Sequence, residues 1–484
     1  MASVRCVDGA LGFTGTIEGM AAVGTGDRQI PVQGNNLRNI IEGADLVMSH
    51  ILHFYHLAAL DYINTTNTPV DGQAPWSPKD NTADMIAGTL ATALVLQYVT
   101  ALDIRREAHR MGAYVSGKQP CTPALIPGGV TKTVPAGSTA AADMTTILTG
   151  IRSFIDNTYI PTVVVAAKAL SGSLLVGSDA QGVGRGCKKY LAYGTFPTSS
   201  GTQVLTGGFA NCTAAAVSAW TVAPLNPAFI EEHVTYSYYD PGTLNIYDKL
   251  HPSVGMTKPL FGKAGAYSWL KAPRYQTAAG SANTHVCEVG PLARMIVNTL
   301  AGVEPWASTV TNFITSTLGL PLTTGLANLP SVLGRHAARA LECKGIADTM
   351  PSWIAALGTT TATGQSYKHR NIPTVSSTGY GLTEAPRGAL GHWIRVDGSK
   401  VSNYQAVVPT TWNASPKDSY GQNGTIEQAI MGTALTDDAT GRTKIGRIIR
   451  SFDPCIACAV HIVSGDKKTI SKFEVIPNGF SSCK

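Results

Sequence analysis

The chain has 484 residues, enough for one large domain or two, but only 14% of them are charged, well below the ~25% usual for soluble domains. The net charge of +6 is scattered, and its two densest basic groups, at 105–110 and 442–450, are not interleaved with aromatic residues, which gives a nucleic-acid partner weak support. Nine cysteines, an odd number, and no signal peptide at the start argue against a disulfide framework and for reduced thiols in a cytoplasmic setting, with room for a metal site.

Apolar residues at 37, 40, 41, 44, 47, 48, 51, 52, 55, 58 and 62 predict a long helix across Asn35–Asn64. Three histidines on it, His50, His53 and His56, read as packed or hydrogen-bonded helix residues rather than ligands. A second long helix is predicted over Asn81–Gly112. Its uncharged stretch Met85–Leu102 approaches the length of a membrane span, but recurring polar residues make it a buried core helix instead. Arg105, Arg106, His109 and Arg110, and later Arg442, Lys444, Arg447 and Arg450, read as solvated helix surface. Thr139–Leu170 is helical with an interruption at Pro161, and Ser171–Ala223, rich in Gly, Ser and Thr, reads as loops with short strands. Further helices fall at Pro291–Leu300, Pro305–Leu318 and Leu329–Leu357, and Asp397-Gly398 between two strand-like runs predicts a hairpin. The expectation is one mainly α domain with small β insertions, an α+β class. So little charge leaves either a partner subunit over much of the surface or a Ser/Thr/Gly-rich exterior, and composition does not separate these.

The densest chemistry lies near the end, in "SFDPCIACAVH". Asp453 suits a helix cap and Pro454 a first turn, which predicts a helix carrying Cys455, Cys458 and His461 toward one face. A helix N-terminus favours thiolate, the form that soft metals bind. Cys-x-x-Cys supplies half of a four-coordinate site, and on spacing alone a metal site, a redox dithiol and a chance pair all stay open.

The string DPCxxCxxH resembles the C-terminal signature of the nickel–iron hydrogenase large subunit. Other stretches agree with that family: "HFYHLAALDY" (53–62), "AHRMGAYVSGKQP" (108–120), "IPGGVT" (126–131), "YSWLKAPRY" (267–275), "EVGPLARM" (288–295), "EAPRGALGHW" (384–393) and "NYQAVVPTTWNASPKD" (403–418). The resemblance implies a hydrogenase large-subunit-like helical core and a site holding nickel and an iron with CO and cyanide ligands. It assigns Cys455 to nickel, Cys458 to a bridge between nickel and iron, and His461 to a structural magnesium or iron. It places Arg387 over the open metal position, Pro386 beside it, Thr410 against a cyanide, and Asp453 as a nearby carboxylate. Two further cysteines would come from an RxCGxCxxxH segment that this sequence does not contain, so the resemblance implies a start inside the usual gene product and an expectation that the 484 residues alone are inactive, with two of four thiolate positions filled. Ser49 stands where many members have Asp, a form like the cytoplasmic uptake branch, and Cys121 stands where a histidine is usual.

The same resemblance implies reversible oxidation of H2 and electrons passed to iron–sulfur clusters in a small-subunit partner. It also implies a maturation endopeptidase that cuts after His461. Residues 1–461 would then form the catalytic domain and 462–484 a maturation extension. The expected location is cytoplasmic, with peripheral attachment to the inner membrane face through the partner as an option. The alternatives are a nickel-free hydrogenase-like subunit of a membrane redox complex and a zinc-stabilised binding module using Cys455, Cys458 and His461.

Overall fold

The structure, a computed structural model, describes the chain apart from residues 14, 18, 74–75, 77–79, 84, 136–137, 175–182, 359–364, 456–459, 464–468 and 474–484. Its frame is helical. The first long helix, Val32–Leu52, runs on through a π-turn at His53–Ala58 and a 3₁₀ turn at Ala59–Asp61. It packs against Gly88–Ser116 and against Val332–Ala355, a helix buried along most of its length. Ser331 caps that helix by accepting the Gly334 N–H at 3.0 Å. With Thr139–Phe154 and Pro291–Leu300, these helices close one apolar core around Leu37, Val47, Met111, Leu148, Ile296 and Leu341. Removing such side chains from water is the main favourable term for a chain of this size.

The expected break at Pro161 does not end a helix. A π-turn at Ile155–Tyr159 precedes it, and Pro161 is the second residue of the next helix, Ile160–Leu174, where a missing N–H costs least. The Met85–Leu102 expectation is half right. The helix buries Ala91, Leu94, Val95 and Ala101 but exposes Leu96, Val99 and Leu102 on another face. No helix among the described residues is long and apolar enough to cross a membrane. Arg106 and Arg110 on its later turns are solvated, as expected, and pair with Asp103 at 2.9 Å and Glu107 at 3.2 Å, whereas Arg447, also expected at the surface, is buried and donates to the Asp61 carbonyl.

Small antiparallel sheets fill the remainder, including the short strands expected between Ser171 and Ala223. The sheet that matters for the site has three strands in sequence order, Ser377–Ala385, Gly388–Asp397 and Lys400–Val407. Asp397 pairs with Lys400, so the second hairpin's loop is Gly398-Ser399, one residue later than expected, with φ of 55° and 65°. Both residues at positive φ match the right-handed twist of the strands. The helix Ala2–Ala10 lies on this sheet so closely that a Cβ at Gly379 would fall 2.2 Å from the Cys6 carbonyl oxygen.

Candidate metal centre

The first two strands of this sheet meet in the tightest of turns. Ala385 pairs with Gly388, which leaves Pro386 and Arg387 alone at the tip. Gly388 has φ of 128°, and a Cβ there would lie 2.5 Å from the backbone nitrogen of Gly290, so glycine is required both by conformation and by space. The turn is therefore pressed against the start of the Pro291–Leu300 helix and points Arg387 inward, with its side chain 31% exposed.

The second arm is the segment after the helix Ala439–Ser451, which Asp438 caps by accepting the Gly441 N–H at 2.9 Å. Asp453 takes φ of 54° and donates its N–H to the Arg450 carbonyl at 3.0 Å. It thus closes the preceding helix instead of capping a following one. Residues 453–455 have no regular structure and Val460–Val463 is a strand paired with Thr469–Phe473. The expected helix through Cys455 and His461 is not formed at its described ends, and the helix-dipole reason for a lowered thiol pKa goes with it. An aspartate tolerates the left-handed region and Pro454 cannot continue a helix, so the same Asp-Pro pair serves as a stop.

The structure brings Arg387, Asp453, Thr410 and Cys455 together. Arg387 Nε lies 3.2 Å from Asp453 Oδ1, an ion pair not aligned as a hydrogen bond. Asp453 is buried, and neither of its carboxylate oxygens accepts a hydrogen bond from any described residue. Thr410, buried in the short helix Pro409–Asn413, accepts the Cys455 N–H on Oγ1 at 3.3 Å. Cys455 is exposed and free. Cys458 lies outside the described residues, as does the side chain of His461. Among the described residues no group of three or more His, Cys, Asp or Glu side chains is arranged to hold a metal.

The histidines on the first helix and its π-turn are packed or hydrogen-bonded, as expected, and the His50 ring is the one held, among the described residues, by packing and a nearby carboxylate alone. His53 Nε2 meets the Arg450 carbonyl at 2.7 Å, and His56 meets the Leu52 and Tyr98 carbonyls at 3.3 and 3.0 Å. His50 sits 3.5 Å from Glu342. Burial, then the charge of Arg339, pushes His53 and His336 well below the ordinary imidazole range, so both are neutral at physiological pH. Ser49 is buried and Cys121 is exposed.

Sequence reading missed the charged groups that surround the site. Asp45, one helical turn before Ser49, is close enough to feel Arg387; burial and then Glu42 push its carboxyl up. Arg294 and Glu384 lie inside stretches that carry the resemblance, but their pairing with each other and with Glu342 leaves no local mark. All three are fully buried. Burial would raise Glu342, but Arg294 and His50 outweigh it and hold it down to about 2. Burial pushes Glu384 up to about 7 against the pull of Arg294. One guanidinium cannot neutralise two carboxylates, and the one it grips with two N–H groups is the one that stays ionised.

A model of the family described as nickel-dependent hydrogenase matches residues 14–75 and 73–461. The chain belongs to this family. As a hydrogenase it is an oxidoreductase acting on H2. The periplasmic [NiFeSe] hydrogenase large subunit of Desulfomicrobium baculatum is 33% identical over 456 residues, 90% of this hydrogenase and 80% of that protein. The uptake hydrogenase large subunit of Bradyrhizobium diazoefficiens is 30% identical over 553 residues, covering 98% and 86%. Among solved structures, a reduced, active form of the Ni-Fe-Se hydrogenase from Desulfomicrobium baculatum superposes with a TM-score of 0.78 at 31% identity, covering 94% of this hydrogenase and 85% of that chain. The α+β class expected from the sequence agrees with that likeness.

Proposed function

We propose that the chain is the catalytic subunit of a nickel–iron uptake hydrogenase that splits H2 reversibly and heterolytically, with Arg387, Asp453, Thr410, Pro386, Cys455 and Cys458 at its site. The observation that carries the reading is the Asp453 carboxylate, buried without a hydrogen bond from any described residue, 3.2 Å from the Arg387 guanidinium and two residues before Cys455. Burying a carboxylate is costly unless cations face it, and Arg387 together with metal ions bound at the nearby thiols would do so. Cys455 and Cys458 would hold nickel, Cys458 also the iron that carries CO and cyanide. When bound, the metals supply a Lewis acid that polarises H2 and takes its electron pair.

The chain's own residues supply the rest. Arg387 is a cation held by a tight turn, and its planar fork fixes the direction in which it acts on H2 and on a nearby base. Asp453 is the ion-pair partner of that fork, 3.2 Å from its Nε. Thr410 accepts the Cys455 N–H, which leaves its own O–H to donate, as a cyanide nitrogen requires. The turnover of Arg387→Lys at unchanged nickel content tests the reading.

Electrons would pass to iron–sulfur clusters in a small-subunit partner. Low charge content supports a partner, as do the exposed apolar side chains of Leu244, Phe261 and Trp269, which are 92%, 76% and 52% exposed. We place the protein in the cytoplasm, where any attachment to the inner membrane face would run through that partner; four cysteines, Cys6, Cys212, Cys287 and Cys343, are buried as free thiols, which supports this. We also read residues 1–461 as the catalytic domain and 462–484 as a maturation extension that an endopeptidase removes. The family match that stops at residue 461 supports this. His461 would then sit at the mature C-terminus and help bind a structural magnesium or iron. Intact mass of active, nickel-loaded subunit should end at His461, and of nickel-starved subunit at Lys484. An active, nickel-loaded subunit that keeps Lys484 overturns the processing.

A further inference from the structure

Arg294 is fully buried on the Pro291–Leu300 helix. Its Nε and Nη2 donate to the two oxygens of Glu342 at 2.5 and 2.8 Å. Its Nη1 donates to Glu384 at 2.6 Å and to the Ala385 carbonyl at 3.0 Å, and Nη2 also reaches the Pro386 carbonyl at 3.2 Å. One side chain therefore grips three consecutive residues that end at the turn carrying Arg387. Carbonyls at the tip of a two-residue hairpin usually face water; here they face a guanidinium.

The far end of the grip leads to the other half of the site. Glu342 belongs to the Val332–Ala355 helix. Two turns earlier on that helix, Arg335 Nη1 donates to Ser451 Oγ at 3.4 Å, and about one turn earlier Arg339 Nη2 donates to the Ser451 carbonyl at 3.0 Å, two residues before Asp453. Arg335 also lies 3.6 Å over the Phe452 ring. Both arms of the site, the Arg387 turn and the Asp453 segment, are thus referred to one rigid helix. A buried ion-pair cluster is weak evidence for stability, because desolvation offsets most of the attraction. It does lock geometry, because every donor of the fork is committed.

We infer that Arg294 is a positioning residue for hydrogen turnover, setting the Arg387 turn in register with Asp453. This rests on the reading of Arg387 as catalytic. Lysine at 294 would keep the charge but could not span Glu342 and the turn carbonyls together. A misplacement of about 1 Å at a reacting group can cost about 10²-fold in rate.

The test is Arg294→Lys, alone and combined with Arg387→Lys, in the holoenzyme. Amide hydrogen exchange across residues 382–391 should quicken at least tenfold, while 400–407 is unchanged. Activity per bound nickel should fall about 10²-fold with KM for H2 and nickel content near their original values. In the Arg387→Lys background, Arg294→Lys should cost little more, because it acts through Arg387. Unchanged exchange at 382–391, or losses that multiply in the double variant, overturns the inference. If Arg294→Lys does not accumulate as folded protein, Glu342→Gln loosens the grip from its other end. It is measured in the same way, and the same two outcomes overturn the inference. Failure of the Arg387 reading would look different: Arg387→Lys alone would turn over normally.

Discussion

Replacing Glu384 by Gln should change how stability depends on pH. Burial raises this carboxyl from 4.5 to about 7, so the folded chain holds its proton more tightly than the unfolded chain does. The sign follows: the stability that this proton supplies is full below pH 4.5 and is lost as pH rises through 7. The shift corresponds to about 3 kcal/mol at ~1.4 kcal/mol per unit. Gln cannot titrate. Its carbonyl can still accept from Arg294, but its NH2 would face the Tyr193 N–H that Glu384 now accepts, a pH-independent cost of about 1–3 kcal/mol. Glu342, held down to about 2, acts in a separate window: its contribution is present above pH 4.5 and is lost as pH falls toward 2. Urea unfolding of both proteins from pH 4.5 to 8 isolates Glu384, since every other group cancels in the difference. The variant should gain about 3 kcal/mol relative to the parent across that range. A difference that stays flat with pH would refute the assignment of a retained proton to Glu384.

Arg387→Lys should lower turnover about 10²- to 10³-fold, the scale for losing one preorganised donor, with nickel content unchanged; H2-driven dye reduction measures it. Thr410→Val removes the acceptor of the Cys455 N–H and should cost about 1 kcal/mol in a urea midpoint series. Gly345→Ala would put a Cβ 2.2 Å from the buried Trp306 ring and should destabilise the fold by about 1–3 kcal/mol through overpacking, seen as a lower melting temperature.

What the sequence shows and hides follows from the range of the interactions involved. The Pro291–Leu300 helix was legible to the residue because Gly290 and Pro291 mark its start locally. The Gly398-Ser399 turn was displaced by one because strand register, not the Asp-Gly pair, decides which residues leave the ladder. The Asp453-Pro454 pair suggests a helix start in the sequence and is a stop in the structure, since the same residue types satisfy both ends. Within the site, Arg387, Thr410 and Asp453 were named by resemblance, and the structure brings them together. Arg294 was not, because its partners Glu342 and Glu384 lie 48 and 90 residues away and no periodicity links them.

The most direct measurement of the central claim is metal analysis of the protein purified with its partner from the cells that make it, beside its Cys455→Ser and Cys458→Ser variants. Stoichiometric nickel together with iron, lost in both variants, is the predicted result. Zinc in place of nickel, or neither nickel nor iron at those thiols, would contradict it.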